Sequence, residues 1–230
     1  MSSQWISIAA TEGGSYDAYL ALPPAGRGPG LVLFQEIFGV NAHIRAVAEQ
    51  YALDGFVVLA PDLFWRDAPR VELGYDGADR ERGIALMKAG DAAQWMADMK
   101  TTVAALRARP EVVGKLGAFG YCLGGRMAYL AAASLPLDAA SCFYGGGIHD
   151  QLDRAGGVAC PIQFHYGSRD ANIPLSAVEK VRATFDGRAA EVFVYDAEHG
   201  FNCWARHSYN APAAALAHAR TLAHFSQHLF

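Results

Sequence analysis

Two runs of this chain, Leu31-Val32-Leu33-Phe34 and Phe56 to Ala60, are apolar without interruption. A strand that shows one face to water alternates apolar with polar residues, so a run with no polar break is covered on both sides. Between them, Asn41 can cap a helix in which Ile44, Val47 and Tyr51 recur at helical spacing. The pattern then repeats. Strands are expected at Leu116 to Phe119, Ala139 to Tyr144, Ile162 to Tyr166 and Glu191 to Tyr195. Helices are expected around Trp95, Met99, Val103 and Leu106, over Gly124 to Ser134, from about Ser176 to Phe185, and at the C-terminus. In that last helix Pro212 falls in the first turn, and Leu222, Phe225 and Leu229 face inward. Alternation of this kind implies an α/β fold with a mostly parallel central sheet and helices on both faces. Trp5 to Ala9 and Asp17 to Ala21, separated by Glu12-Gly13-Gly14-Ser15, add an antiparallel hairpin at one edge. Residues 62–90 lack a clear period and read as a surface excursion with a short helix.

The chain has 230 residues, with no interdomain linker or repeat, and is expected to form one domain over 1–230. Its hydrophobic share of 52% excludes a disordered chain. A net charge of −4 with no basic block excludes a nucleic-acid surface. There is no signal-peptide pattern and no long apolar stretch, so the expectation is a cytoplasmic protein with no membrane association. Four cysteines, Cys122, Cys142, Cys160 and Cys203, are too sparse for a disulfide framework and lack C-x-x-C spacing. No metal ion or cofactor is called for.

In open parallel sheets, ligands bind outside the carboxyl ends of the strands. Gly120-Tyr121-Cys122-Leu123-Gly124-Gly125 stands at such an end, between an expected strand and helix. It has the form of a nucleophile elbow, G-x-S-x-G, with cysteine for serine. The glycines leave room where the backbone doubles back, and the sulfur is pushed out at the apex beside a helix N-terminus that favours thiolate. The Leu123 N–H points the same way as half of an oxyanion hole. A tight turn with an inert cysteine has the same pentapeptide; its place in a strand–turn–helix favours the nucleophile. The other three cysteines read as structural.

A thiol needs a base. Asp170 follows one strand and His199 follows the next, giving the order nucleophile, acid, histidine along one sheet edge. His199 would exchange the proton and Asp170 would orient the ring. Glu36, in Gln35-Glu36-Ile37-Phe38-Gly39, follows the first buried strand. The Ile37 N–H there can supply the second oxyanion donor. Glu36 is either a solvated loop residue or, turned inward, a group that takes the thiol proton.

These motifs, with Ala60-Pro61-Asp62-Leu63 and His199-Gly200-Phe201, resemble the dienelactone hydrolase family, of α/β-hydrolase fold, over nearly the whole chain. The resemblance implies a Cys122–His199–Asp170 triad with Glu36 as a thiol-activating switch, displaced onto the thiol when substrate binds. It also implies that Tyr144 belongs to the active site, although a tyrosine at a strand end fits a core equally. Members that degrade dienelactone hold the substrate carboxylate with two arginines. Arg82 is the match expected for the first; the second position is Cys203 here, with Arg206 three residues beyond. The function expected is hydrolysis of a small ester or lactone, with or without a carboxylate, through an acyl-enzyme on Cys122. Its alternatives are a broad carboxylesterase or thioesterase and a non-catalytic binding protein on the same scaffold. The partner is then a small molecule, and the chain is a monomer or a small homo-oligomer. With nearly every residue needed for sheet and helices, no large cap is expected.

Overall fold

Every residue of β3 (Gly28–Phe34) and β4 (Val57–Pro61) is buried, as their unbroken apolar character requires. In the computed structural model, which covers residues 1–230, they lie near the middle of an eight-stranded sheet of order β1-β2-β4-β3-β5-β6-β7-β8. The remaining strands are β1 (Ser2–Ala9), β2 (Ser15–Leu22), β5 (Val112–Tyr121), β6 (Ala139–Phe143), β7 (Ile162–Gly167) and β8 (Ala190–Tyr195). The hairpin β1–β2 is antiparallel and pairs antiparallel with β4; all other neighbours are parallel.

Six helices cover the sheet: α1 (Ala42–Leu53), α2 (Gly77–Ala89), α3 (Ala92–Arg107), α4 (Leu123–Ser134), α5 (Leu175–Thr184) and α6 (Ala211–Leu229). Asn41 caps α1, its Oδ1 accepting from the Ile44 N–H at 3.3 Å. Asn210 caps α6 in the same way, with Pro212 in the first turn. Phe119 of β5 meets Tyr51 of α1 at 4.4 Å and Phe225 of α6 at 5.9 Å, so these helices share one face. On the other, α3 contacts α4, and Tyr129 of α4 meets Phe164 of β7 and Phe185 at the end of α5. Phe225 and Leu229 are buried; Leu222, also expected in the core, is only half-buried.

Residues 62–90 hold a 13-residue helix, α2, rather than a short one. Its sequence hid this because only Gly83 and Leu86 are buried. No larger insertion covers the sheet. No helix is long and apolar enough to cross a membrane.

The chain runs from β3 out to β4 and then returns past β3 to β5. Strand order therefore reverses between β3 and β5, which opens a crevice at their carboxyl ends.

Candidate active site

Phe34 and Gly120 are partners in the β3–β5 register, so Glu36 and Cys122 each lie two residues beyond the same rung, on either side of that crevice. Cys122 has φ +55°, ψ −114°, outside every ordinary region for a residue with a side chain, and it directly precedes α4. The sharp turn demands glycine on both sides. A Cβ on Gly120 would run into the Gly124 carbonyl, and one on Gly124 into the Phe34 carbonyl. Leu123 opens α4, so its N–H belongs to the first turn, where no helical carbonyl accepts it.

Asp170 is 6% exposed and fully engaged. Its Oδ1 accepts from the N–H groups of Asn172 (2.8 Å) and Ile173 (3.2 Å), and its Oδ2 accepts from His199 Nδ1 at 2.7 Å. A carboxylate can only accept there, so Nδ1 carries hydrogen and Nε2 is left for Cys122. Burial opposes a charged ring, but the Cys122 sulfur and the Asp170 carboxylate outweigh it and carry the His199 pKa up to about 10. The Tyr144 and His199 rings pack in a T-shaped pair with centroids 5.0 Å apart. Tyr144 is fully buried, has φ +35°, and its hydroxyl finds no hydrogen-bond partner.

Glu36 points inward. It is 1% exposed and its Oε1 meets Arg206 Nη1 at 3.1 Å. Burial raises its pKa; Arg206 and then His199 pull it back without restoring it. Arg206 is held over the rings of Phe38 (5.6 Å) and Tyr75 (5.9 Å). It reaches Glu36 past Gly200, whose φ is +79° and where any Cβ would strike the guanidinium. That accounts for glycine in His199-Gly200-Phe201. Cys203, at the position of the second expected arginine, is buried near Tyr75 and Glu36, and burial raises its thiol pKa to about 11.

A cavity of about 450 Å³ opens over these groups, lined by Cys122, His199, Arg206, Ile37 and Leu123. Arg82 is not among its walls. On α2, Arg80, Ile84 and Met87 face the cavity, spaced i, i+4, i+7. Arg82 stands two residues, about 200°, round the helix from Arg80, and is exposed to solvent. The arginine of this segment that reaches the cavity is thus Arg80. Arg126, on the first turn of α4, was also not singled out by sequence. A cationic residue at the positive end of a helix was the available signal. A larger open groove of about 660 Å³ lies beside Gln163, Glu191 and Arg220, at the amino ends of β7 and β8 and far from this chemistry.

A model of the dienelactone hydrolase family matches residues 16–229. A carboxymethylenebutenolidase of Pseudomonas sp. (strain P51) is 36% identical over 224 residues, spanning 96% of this chain and 94% of that protein. A second, from Pseudomonas putida, is 34% identical over 225 residues, 96% of this chain and 95% of the other. Among solved structures, that of a putative dienelactone hydrolase from Klebsiella pneumoniae superposes with a TM-score of 0.89 at 32% identity, covering 99% of both chains. A Pyrococcus furiosus esterase shares the fold at a TM-score of 0.71 and 14% identity, covering 100% of this chain and 94% of that one.

Proposed function

The chain belongs to the dienelactone hydrolase family, and from that premise we propose that it hydrolyses a small ester or lactone through an acyl-enzyme on Cys122, acting as one domain over residues 1–230. The observation that carries the reading is the 2.7 Å contact between His199 and Asp170, set beside a cysteine held at a strained apex in the same cavity.

In this reading the thiol proton rests with His199, whose raised pKa suits an imidazolium beside a thiolate. The thiolate attacks the carbonyl carbon, forming a carbon–sulfur bond while the carbonyl π pair moves to oxygen. The N–H groups of Ile37 and Leu123 stabilise that oxyanion. The pair returns, the carbon–oxygen single bond breaks, and the departing alkoxide takes the proton from His199. Water then gives a proton to His199, and the resulting hydroxide adds to the thioester. Collapse releases a carboxylic acid, and the thiolate regains its imidazolium partner.

Glu36 serves as counter-charge to the imidazolium while Arg206 holds it. Its raised pKa also favours a second route, in which substrate breaks the Glu36–Arg206 pair and the freed carboxylate takes the thiol proton. Tyr144 packs against His199 and fixes the ring plane.

The test is acylation. With a 4-nitrophenyl ester, intact-mass and peptide analysis should find the acyl group on Cys122, and Cys122→Ala should lose about 10³-fold or more in kcat. Full activity in Cys122→Ala overturns the acyl-enzyme reading. Binding of esters with no turnover by the native chain would favour the non-catalytic alternative, and equal turnover of many neutral esters and thioesters the broad esterase.

A further inference from the structure

Glycine is, after proline, the poorest helix former, yet Gly83 stands in the middle of α2 and is one of only two residues that the helix buries. Its backbone is helical, so conformation makes no demand for glycine there. Space does. A Cβ on Gly83 would stand 2.6 Å from the Ile37 carbonyl oxygen and 3.3 Å from Ile37 Cγ1. The first is closer than a side chain tolerates against backbone, so α2 rests on Ile37 only because residue 83 has no side chain.

The residues around Ile37 are held from the same side of the site. Gln35 Oε1 accepts from the Leu63 N–H at 3.2 Å, and the Phe38 carbonyl accepts from the Leu73 N–H at 3.0 Å. Gly39, with φ +80°, lies where a Cβ would run into the Val71 carbonyl. Helix α2 is tied to this segment as well, since Asp79 Oδ2 in its first turn accepts from the Gly74 N–H at 2.7 Å. The Ile37 N–H itself takes no backbone acceptor, so no rung of the sheet fixes its direction. Its neighbours do that instead. Arg206 anchors the Glu36 side chain before it and α2 presses on the Ile37 carbonyl after it, which leaves the planar peptide between them little freedom to rotate.

We propose that Gly83 is a positioning residue of the oxyanion hole: by letting α2 sit on the Ile37 carbonyl, it keeps the Ile37 N–H aimed at the substrate oxygen. This rests on the hydrolase reading above, and it gives residues 62–90 a role in the chemistry beyond lining the cavity.

Two reactions of Cys122 test it. Turnover of 4-nitrophenyl acetate develops an oxyanion at the carbonyl oxygen. Alkylation by iodoacetamide does not, because the thiolate displaces iodide from a saturated carbon and forms the carbon–sulfur bond directly. The other three cysteines are buried, and peptide mass analysis follows Cys122 separately. In Gly83→Ala, kcat should fall about 10- to 100-fold while KM and the alkylation rate stay within about 3-fold of native, as a misaligned donor requires. Asp79→Ala frees the first turn of α2 without adding an atom at Ile37. It should lose about 3- to 10-fold in kcat with the same split, and Asp79→Asn, which keeps an acceptor for Gly74, should recover most of it. Ala85→Gly weakens the same helix at an exposed position and should leave kcat within about 3-fold of native.

Unchanged kcat in Gly83→Ala overturns the proposal; should that variant not fold, unchanged kcat in Asp79→Ala does so. An equal loss of ester turnover and alkylation also overturns it, by placing the damage at the thiolate. So does a loss in Ala85→Gly as large as in Gly83→Ala, which would make helix stability the cause. If the native chain is acylated on Cys122 and Gly83→Ala matches it, this proposal alone fails. If the native chain forms no acyl-enzyme, the hydrolase reading falls and this one with it.

Discussion

At the scale of single residues, the site spends stability on readiness. Glu36 is the clearest case, because its ionised form is less comfortable in the fold than in water even with Arg206 attached. Its folded pKa is raised above the unfolded value near 4.5, so the stability linked to it is present below that value and is lost as pH rises through the folded pKa. Glu36→Gln keeps an oxygen for Arg206 and removes the charge. It should raise Tm relative to the native chain more at pH 8 than at pH 4.5, as thermal melts at the two values would show. An equal shift at both would mean that the carboxylate is not strained by burial. Cys122, Asp170, His199 and Glu36 were legible because each follows an expected strand in a short motif. Arg80 was not, since the difference between it and Arg82 is helical phase, which requires knowing where α2 begins. Whether an arginine pairs with a distant acid, as Arg206 does with Glu36 across 170 positions, lies beyond any local pattern.

Among the elements, α2 and α6 make opposite use of a helix. The expected strands fell within a few residues of the observed ones, and for the central β3, β4, β6 and β7 this is because strands covered on both faces leave little choice of residue. The terminal helix α6 was equally plain, from its proline and its inward Phe225 and Leu229. It fastens the α1 face through Phe225, fully buried with ring centroids 5.9–6.4 Å from Phe119, Phe56 and Tyr51. Truncating it opens a cavity that surrounding rings cannot collapse to fill. Phe225→Ala should therefore cost ~3–5 kcal/mol, measured as a fall in the urea midpoint with an unchanged slope. A loss below about 1 kcal/mol would show that α6 does not clamp the sheet. Helix α2 buries little and carries Arg80, Ile84 and Met87 toward the cavity instead. A helix kept for the wall it offers need not display an amphipathic stripe, and that is why residues 62–90 resisted reading.

For the whole molecule, the reversal of strand order between β3 and β5 decides both where the candidate site lies and how much room stands above it. The crevice gathers Glu36, Cys122 and their partners at one sheet edge, and only α2 and the loops stand above it, with no large cap. The cavity of about 450 Å³ is near the small end of the range for ligand sites, which runs from about 300 to 1,000 Å³. Its apolar wall is short, chiefly Ile37, Phe38, Ile84 and Met87, and the guanidiniums of Arg80 and Arg126 interrupt it. A long alkyl chain would have to lie against those cations and strip their water without replacing it. Across 4-nitrophenyl esters from acetyl to dodecanoyl, kcat/KM should thus peak among the short acyl groups and fall at least about 10-fold by dodecanoyl, a difference of about 1.4 kcal/mol in transition-state stabilisation. A rate that keeps climbing with chain length would require an apolar channel that these walls do not form.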